Sequence, residues 1–208
     1  MVICGNARFT VLTPEMIRIE YSEKGMFEDR PTFTVVNRNL ELVDFKKKED
    51  DRFLYIQTDK VKLKYRKGTN PKTSPASPEN LTITIENHGC ETLWYPGKKD
   101  PLNLKGTCRT LDGSNGDNKR SELENGLISR SGWAVIDDSW EATRADGSHS
   151  FALEPNPEVG YDWWAYRNDP QAIDLYFMGY GNEYKKAIGD FTLSLITHLR
   201  AHETRGNL

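Results

Sequence analysis

The chain has 208 residues, with 28 Lys and Arg against 31 Asp and Glu, a formal net charge of -3 and a mean hydropathy of -0.70. That length suits one domain with a sizeable core. The charge balance leaves no basic footprint for nucleic acid, and no apolar run reaches the roughly 18 residues that span a bilayer. Five Trp, nine Tyr and eight Phe argue against disorder. The cysteines Cys4, Cys90 and Cys108 are odd in number and lack metal-ligand spacing. Neither a disulfide framework nor a metal is expected, and a reducing, cytoplasmic setting is the default. MVICGNARF is too short and polar for a secretory signal; a leader removed upstream would leave a periplasmic location open.

In chain order, the dominant period is two. Arg8–Leu12 and Met16–Tyr21 alternate apolar with polar residues around a Thr13-Pro14-Glu15 turn, which predicts a hairpin with one buried face per strand. Thr32–Val36 reads as a strand with Phe33 and Val35 on one face. Phe53–Thr58 and Lys60–Arg66 follow, the second with Val61, Leu63 and Tyr65 inward and Lys60, Lys62, Lys64 and Arg66 outward. That lysine row reads as a solvated face that resists edge pairing, not as a binding stripe. Pro71, Pro75 and Pro78 make residues 68–80 a loop. Leu81–Ile85 is the next strand, 94–117 is turn-rich, and Gly132–Asp138 is a strand leading to an Asp146-Gly147 turn. Ile173–Tyr180 is an aromatic strand. From Asn182 the period turns helical, with Tyr184, Ala187, Ile188 and Phe191 on one face, and Thr197–Leu208 reads as a loose tail. The fold class predicted is all-β, an antiparallel β-sandwich with a short C-terminal helix.

Chemistry-bearing motifs are sparse. There is no phosphate loop, no Gly-x-Ser-x-Gly elbow and no zinc spacing. His198 and His202 are four apart but lack a third ligand. Asp137 and Asp138 are adjacent, so on a strand they point apart and read as caps of the strand and its turn. Asp162 beside Trp163 and Trp164 reads either as a sugar-contact cluster or as a tryptophan pair partly in the core. The long aperiodic stretches around Asn103–Gly113 and Leu123–Trp133 combine glycine hinges with Arg109, Asp112, Arg130 and Trp133. Those side chains suit polyol recognition, or an Arg–Asp network internal to the loop.

The runs GNARFTVLTPEMIRIEYS, NLKGTCRTLDG, NGLISRSGWAVIDDS, YDWWAY and DLYFMGYGNEYKKAIGDFT, in this order, resemble the N-terminal domain of family 31 glycoside hydrolases, the α-glucosidase and α-xylosidase group. The resemblance covers residues 3–192, with 193–208 as a divergent tail. It implies a β-sandwich resembling galactose mutarotase, placed before a (β/α)8 barrel that carries the two catalytic aspartates of a retaining mechanism. Neither aspartate has a counterpart here, so the resemblance implies no catalytic residue, cofactor or metal in this chain. It implies that the stretch Asn103–Trp133 reaches the barrel's sugar pocket, with Arg109, Asp112 and Arg130 as polar contributors. The expected partners are α-linked glucosides or related oligosaccharides and a catalytic barrel that this chain lacks, with no nucleic acid and no membrane. An apolar face awaiting the barrel, near Trp163, Trp164 and the terminal helix, is also expected. Two other readings are an independent carbohydrate-binding module that uses aromatic platforms, and an aldose epimerase-like enzyme with His88 and His149 as acid–base candidates.

Overall fold

The computed structural model describes residues 1–72, 77–87, 90–106, 123–139, 151–157 and 160–203; the side chains of 87, 90, 155, 156, 160–163 and 195–203 lie outside that description. In chain order the strands are β1 Val2–Cys4, β2 Ala7–Val11, β3 Met16–Tyr21, β4 Lys46–Glu49, β5 Phe53–Gln57, β6 Val61–Arg66, β7 Leu81–Asn87, β8 Cys90–Trp94, β9 Ala134–Asp137, β10 Ala152–Asn156, β11 Gly160–Ala165 and β12 Ile173–Met178. The helix α1 Tyr184–Glu203 follows. One five-stranded antiparallel sheet runs β1-β2-β3-β12-β9, a second runs β4-β5-β6-β7-β8, and β10 and β11 form a separate hairpin. The two large sheets face each other, as an antiparallel β-sandwich requires.

The strict alternation that the sequence carries is what fills the space between the sheets. Val61, Leu63 and Tyr65 of β6 are all buried while Lys62, Lys64 and Arg66 are exposed. They meet Phe9, Ile17, Ile19, Leu175 and Phe177 from the opposite sheet. Phe9 and Tyr65 touch across the sandwich with ring centroids 5.0 Å apart, and Trp94 and Phe177 lie at 4.9 Å. Trp133 belongs to this core and packs on Trp94, so it is a structural ring and not a sugar contact.

β12 is buried along its whole length, because it sits inside its sheet and has both faces covered. Ile173, Leu175 and Phe177 point into the sandwich. Tyr176 and Met178 join a second cluster with Met16, Leu12, Val35, Tyr180 and Ala187, under α1.

Several expectations change. Thr32–Val36 is not a strand: Thr32 makes one bridge to Ala152, and its hydroxyl accepts from the Val35 amide at 3.1 Å in a tight turn. That turn sends Val35 inward and leaves Phe33 exposed. The Lys60–Arg66 face is solvated, but β6 is internal to its sheet; the edge is β4, where Lys46, Lys47 and Lys48 blunt further pairing. The tail is helical through Glu203, carrying His198 and His202 on its backbone, and Ile188 is exposed instead of packed. The short strands β1, β4, β8, β10 and β11 had no readable period.

Candidate functional site

The loop that the sequence isolates rises from a hydrogen-bonded stem. Asn103 and Ser129 form an antiparallel bridge. Around it the Leu104 amide donates to Ile128 O at 3.1 Å, Arg130 N to Leu102 O at 3.0 Å and Gly106 N to Glu124 O at 2.8 Å. Asp100, buried beneath, accepts from Ser129 Oγ at 3.0 Å, Ser131 Oγ at 2.7 Å and Asn103 Nδ2 at 3.1 Å. Asn103 Oδ1 in turn accepts from the amides of Lys105 and Gly126, both at 2.8 Å. Each of these short polar side chains replaces a backbone partner that a regular ladder would supply.

Gly126 is obligatory in that stem. A Cβ there would lie 2.5 Å from the Lys105 carbonyl oxygen, and Lys105 itself holds φ 70°. Gly126→Ala is expected to cost about 1–3 kcal/mol and to open the stem, read as faster hydrogen exchange at Gly106 and Arg130.

The back of the first sheet carries a buried ion network. Arg18 Nε and Nη2 donate to Asp174 at 2.8 and 2.7 Å, and Arg8 holds Glu20 through Nε at 2.6 Å and Nη2 at 2.7 Å. Arg167 also donates to Asp174 and to the Asp138 carbonyl. These contacts follow from register, since Glu20 is the cross-strand partner of both Arg8 and Asp174. Burial pushes the Asp174 carboxyl up, but Arg18, Arg167 and Arg38 outweigh it and hold the group at about 2. Burial also raises Tyr176 well above its ordinary value. The Asp138 side chain is fully buried and accepts from Thr32 Oγ1 at 2.6 Å, while Asp137 Oδ1 accepts from the Ser139 amide at 3.1 Å, as a cap does.

A third feature is an open cleft of about 890 Å³ between α1, the β2–β3 turn and residues 40–46. Leu12, Pro14, Leu40, Leu42 and Leu193 give it an apolar lining. Lys186 pairs with Glu15 across it. Tyr180 donates to Asp190 at 2.7 Å and meets Thr13 at 3.1 Å, so the helix is pinned to the hairpin at one side of the cleft.

Of the residues singled out in the sequence, Arg109 and Asp112 lie outside the described residues, as do His88 and His149. Arg130 is exposed, but at the foot of the stem, where its amide pairs with Leu102 O, and not at the loop end. Asp162 and Trp163 lie on β11, where Trp163 is opposite Glu154 of β10, and their side chains are outside the description. Trp164 is 65% exposed, so it is no part of the core. Among the described residues, no group of three or more metal-ligating side chains comes together. The residues that sequence reasoning missed are Asp100, Ser129 and Ser131 below the loop. For Asp100 the signal was the Asp100-Pro101-Leu102-Asn103 turn; Ser129 and Ser131 had none.

No protein-family model matches the chain, and no curated protein matches it significantly.

Proposed function

We propose that this chain is a non-catalytic β-sandwich domain of an α-glucosidase-like glycoside hydrolase, of the kind that precedes the barrel in family 31 enzymes. In this reading it packs on the barrel and lends the loop above the Asn103–Ser129 stem to the sugar pocket. The observation that carries it is how the resembling runs fall on the fold. GNARFTVLTPEMIRIEYS forms β2 and β3, and DLYFMGYGNEYKKAIGDFT forms β12 and the start of α1. Segments so distant in sequence pair in register, Tyr176 opposite Arg18 and Phe177 opposite Ile17, so the runs that carry the resemblance lie side by side in one sheet.

Further support comes from the apolar surface beside α1, where Leu42 is fully exposed and Leu193 also reaches solvent, both lining the cleft. Contiguous exposed apolar side chains of this kind mark interaction surfaces. A rigid stem below the loop is what a pocket wall needs, because positioning groups act only when their support is fixed.

The test uses the chain with chromogenic α-glucosides and α-xylosides. Alone it is expected to give no turnover. Mixed with a family 31 glycosidase whose own N-terminal domain has been deleted, it is expected to form a complex and restore hydrolysis. Turnover by the chain alone, or no association with the deleted enzyme, overturns the reading.

A further inference from the structure

We propose that the outer face of the β4–β8 sheet is a docking surface for an acidic polysaccharide, held by Lys48, Lys62, Lys64 and Arg66 with Lys46 at the border. The polymer class rests on the carbohydrate reading above. The surface is separate from the loop and meets the cleft at Lys46 and Gln57.

Strand register builds this face. Within β6 the cations form a row, but Lys64 stands opposite Tyr55, and Tyr55 opposite Lys48. Lys62 is likewise opposite Gln57, and Gln57 opposite Lys46. Leu54, Ile56, Leu63 and Tyr65 are the buried residues of β5 and β6, so alternation sends the cations between them to the outward side. Lys46, Lys48, Lys62, Lys64 and Arg66 are all exposed. Phe53, opposite Arg66, lies on the same side, with its ring centroid 4.2 Å from Lys64 Nζ. Neighbouring cations stand about 7 Å apart along a strand and about 10 Å apart across β5. A Debye length of about 8 Å at physiological salt leaves such charges acting together.

Their neutralisation is incomplete. Lys62 pairs with Glu91 at 3.6 Å and Glu86 at 3.9 Å, while Glu49 of β4 is taken by Lys47 and Lys67. Among the described residues, Lys46, Lys48, Lys64 and Arg66 have no ion pair. In a chain of net charge -3, this concentration of positive charge is the complement of an anionic partner. What surrounds the cations decides which anion. The Lys64 ammonium lies over Phe53, and Phe53 packs on Tyr55 at 6.2 Å, whose hydroxyl donates to Asp50 at 3.2 Å; nucleic-acid bases therefore lack a free ring on which to stack. The exposed apolar side chain on this face is Leu93, three strands from Tyr55. A membrane thus has no anchor to take up, and a folded protein no apolar centre to bury. Gln57, Thr82 and Thr84 lie among the cations instead, offering donors and acceptors to hydroxyl groups. Lysine ammoniums are hydrated point charges that meet carboxylates or sulfates without a fixed fork, which suits an extended, hydrated polymer of acidic sugars.

The test is affinity electrophoresis at about 20 mM salt, through gels holding polygalacturonate, dextran sulfate or neutral dextran. Both acidic polymers are expected to retard the chain, and neutral dextran is not. Lys48→Glu combined with Lys64→Glu is expected to weaken binding at least about tenfold, with circular dichroism and Tm unchanged. Lys185→Glu, an exposed position on α1, is expected to leave it within about twofold. The proposal is overturned if neither acidic polymer retards the chain, or if the double reversal binds as the parent does. It is equally overturned if Lys185→Glu weakens binding as much, since net charge alone is then responsible. Tighter binding to poly(U) RNA, or to vesicles containing phosphatidylserine, than to either acidic polymer overturns it in favour of those partners. Restored hydrolysis without retardation removes this inference alone. Retardation without restored hydrolysis removes the enzyme-domain reading and leaves the basic face.

Discussion

Replacing Asp174 by Ala is expected to cost about 3–5 kcal/mol of stability, the range for removing one partner of a buried ion pair. The loss comes from Arg18 and Arg167, both buried, which keep their charge and lose the carboxylate that compensates it. In a chain of this size each kcal/mol lowers Tm by about 2–4 °C, so differential scanning calorimetry reads a drop of roughly 6–20 °C. Removing the exposed Glu91, paired with Lys62 at 3.6 Å, is the control and is expected to change stability by less than about 1 kcal/mol. Asp174 also sets an acid limit. Its folded pKa of about 2 lies below the ordinary carboxyl value, so its contribution is complete above about pH 4 and lost as pH falls through about 2. That window is worth roughly 2 kcal/mol. Glu28, resisted by burial but held down by Arg30 and backbone amides, shifts the same way. Glu20, raised by burial, works in the opposite sense. Asp174→Asn is expected to be less stable at neutral pH and to have a flatter stability profile between pH 4 and 2. An unchanged profile in that variant would show that the acid limit is set elsewhere.

Phe177→Ala is expected to cost about 3–5 kcal/mol, through lost transfer energy and an unfilled cavity. Phe177 is fully buried, pairs in register with Ile17 on one side and Val135 on the other, and packs on Trp94 of the opposite sheet. Three strands and both layers therefore lose contacts at once. Gly179 sits beside it: a Cβ there would lie 2.9 Å from the Phe177 ring and 3.0 Å from Val61, so the surrounding atoms are already close and collapse is limited. Urea unfolding is the measurement, with an expected fall in midpoint and an unchanged m-value. Leu93→Ala, at an exposed position on β8, is expected to stay within about 0.5 kcal/mol.

The period of two is clearest in strands with one face buried and one more open, such as β6 and β7; β3 alternates in residue type as well, but its polar face is buried in the ion network of Arg18 and Glu20. β10 and β11 were invisible as strands. Trp164 and Tyr166 stay in solvent, so YDWWAY carries no readable inward alternation at its described end. β4 is a run of lysines, whose role at a sheet edge depends on its neighbours. Thr32–Val36 misled because Thr32 can satisfy the Val35 amide itself, and a side-chain acceptor of that kind competes with strand pairing. At the candidate site, the loop between Asn103 and Trp133 was legible from its glycines and its missing period. The ring of Trp133 was assigned to the wrong side, since nothing local distinguishes a core tryptophan from a sugar-stacking one. The network around Asp174 was unreadable for another reason: Arg18 and Asp174 are 156 residues apart, and only sheet order makes them neighbours.

That order has a consequence for synthesis. β3 leaves the ribosome with one long edge unpaired and waits for β12, its neighbour in the finished sheet. At about 5–20 residues per second, crossing those 156 positions takes on the order of ten to thirty seconds. Throughout that interval Ile17 and Ile19 lack their strand partner on that side, and the Arg18 guanidinium lacks Asp174 and keeps only Glu20 of its own strand at 3.0 Å. The second sheet, β4 to β8, is a consecutive meander and can close on itself meanwhile. The topology therefore lets the second sheet be completed before the first, and leaves the β3 edge open until β12 has emerged.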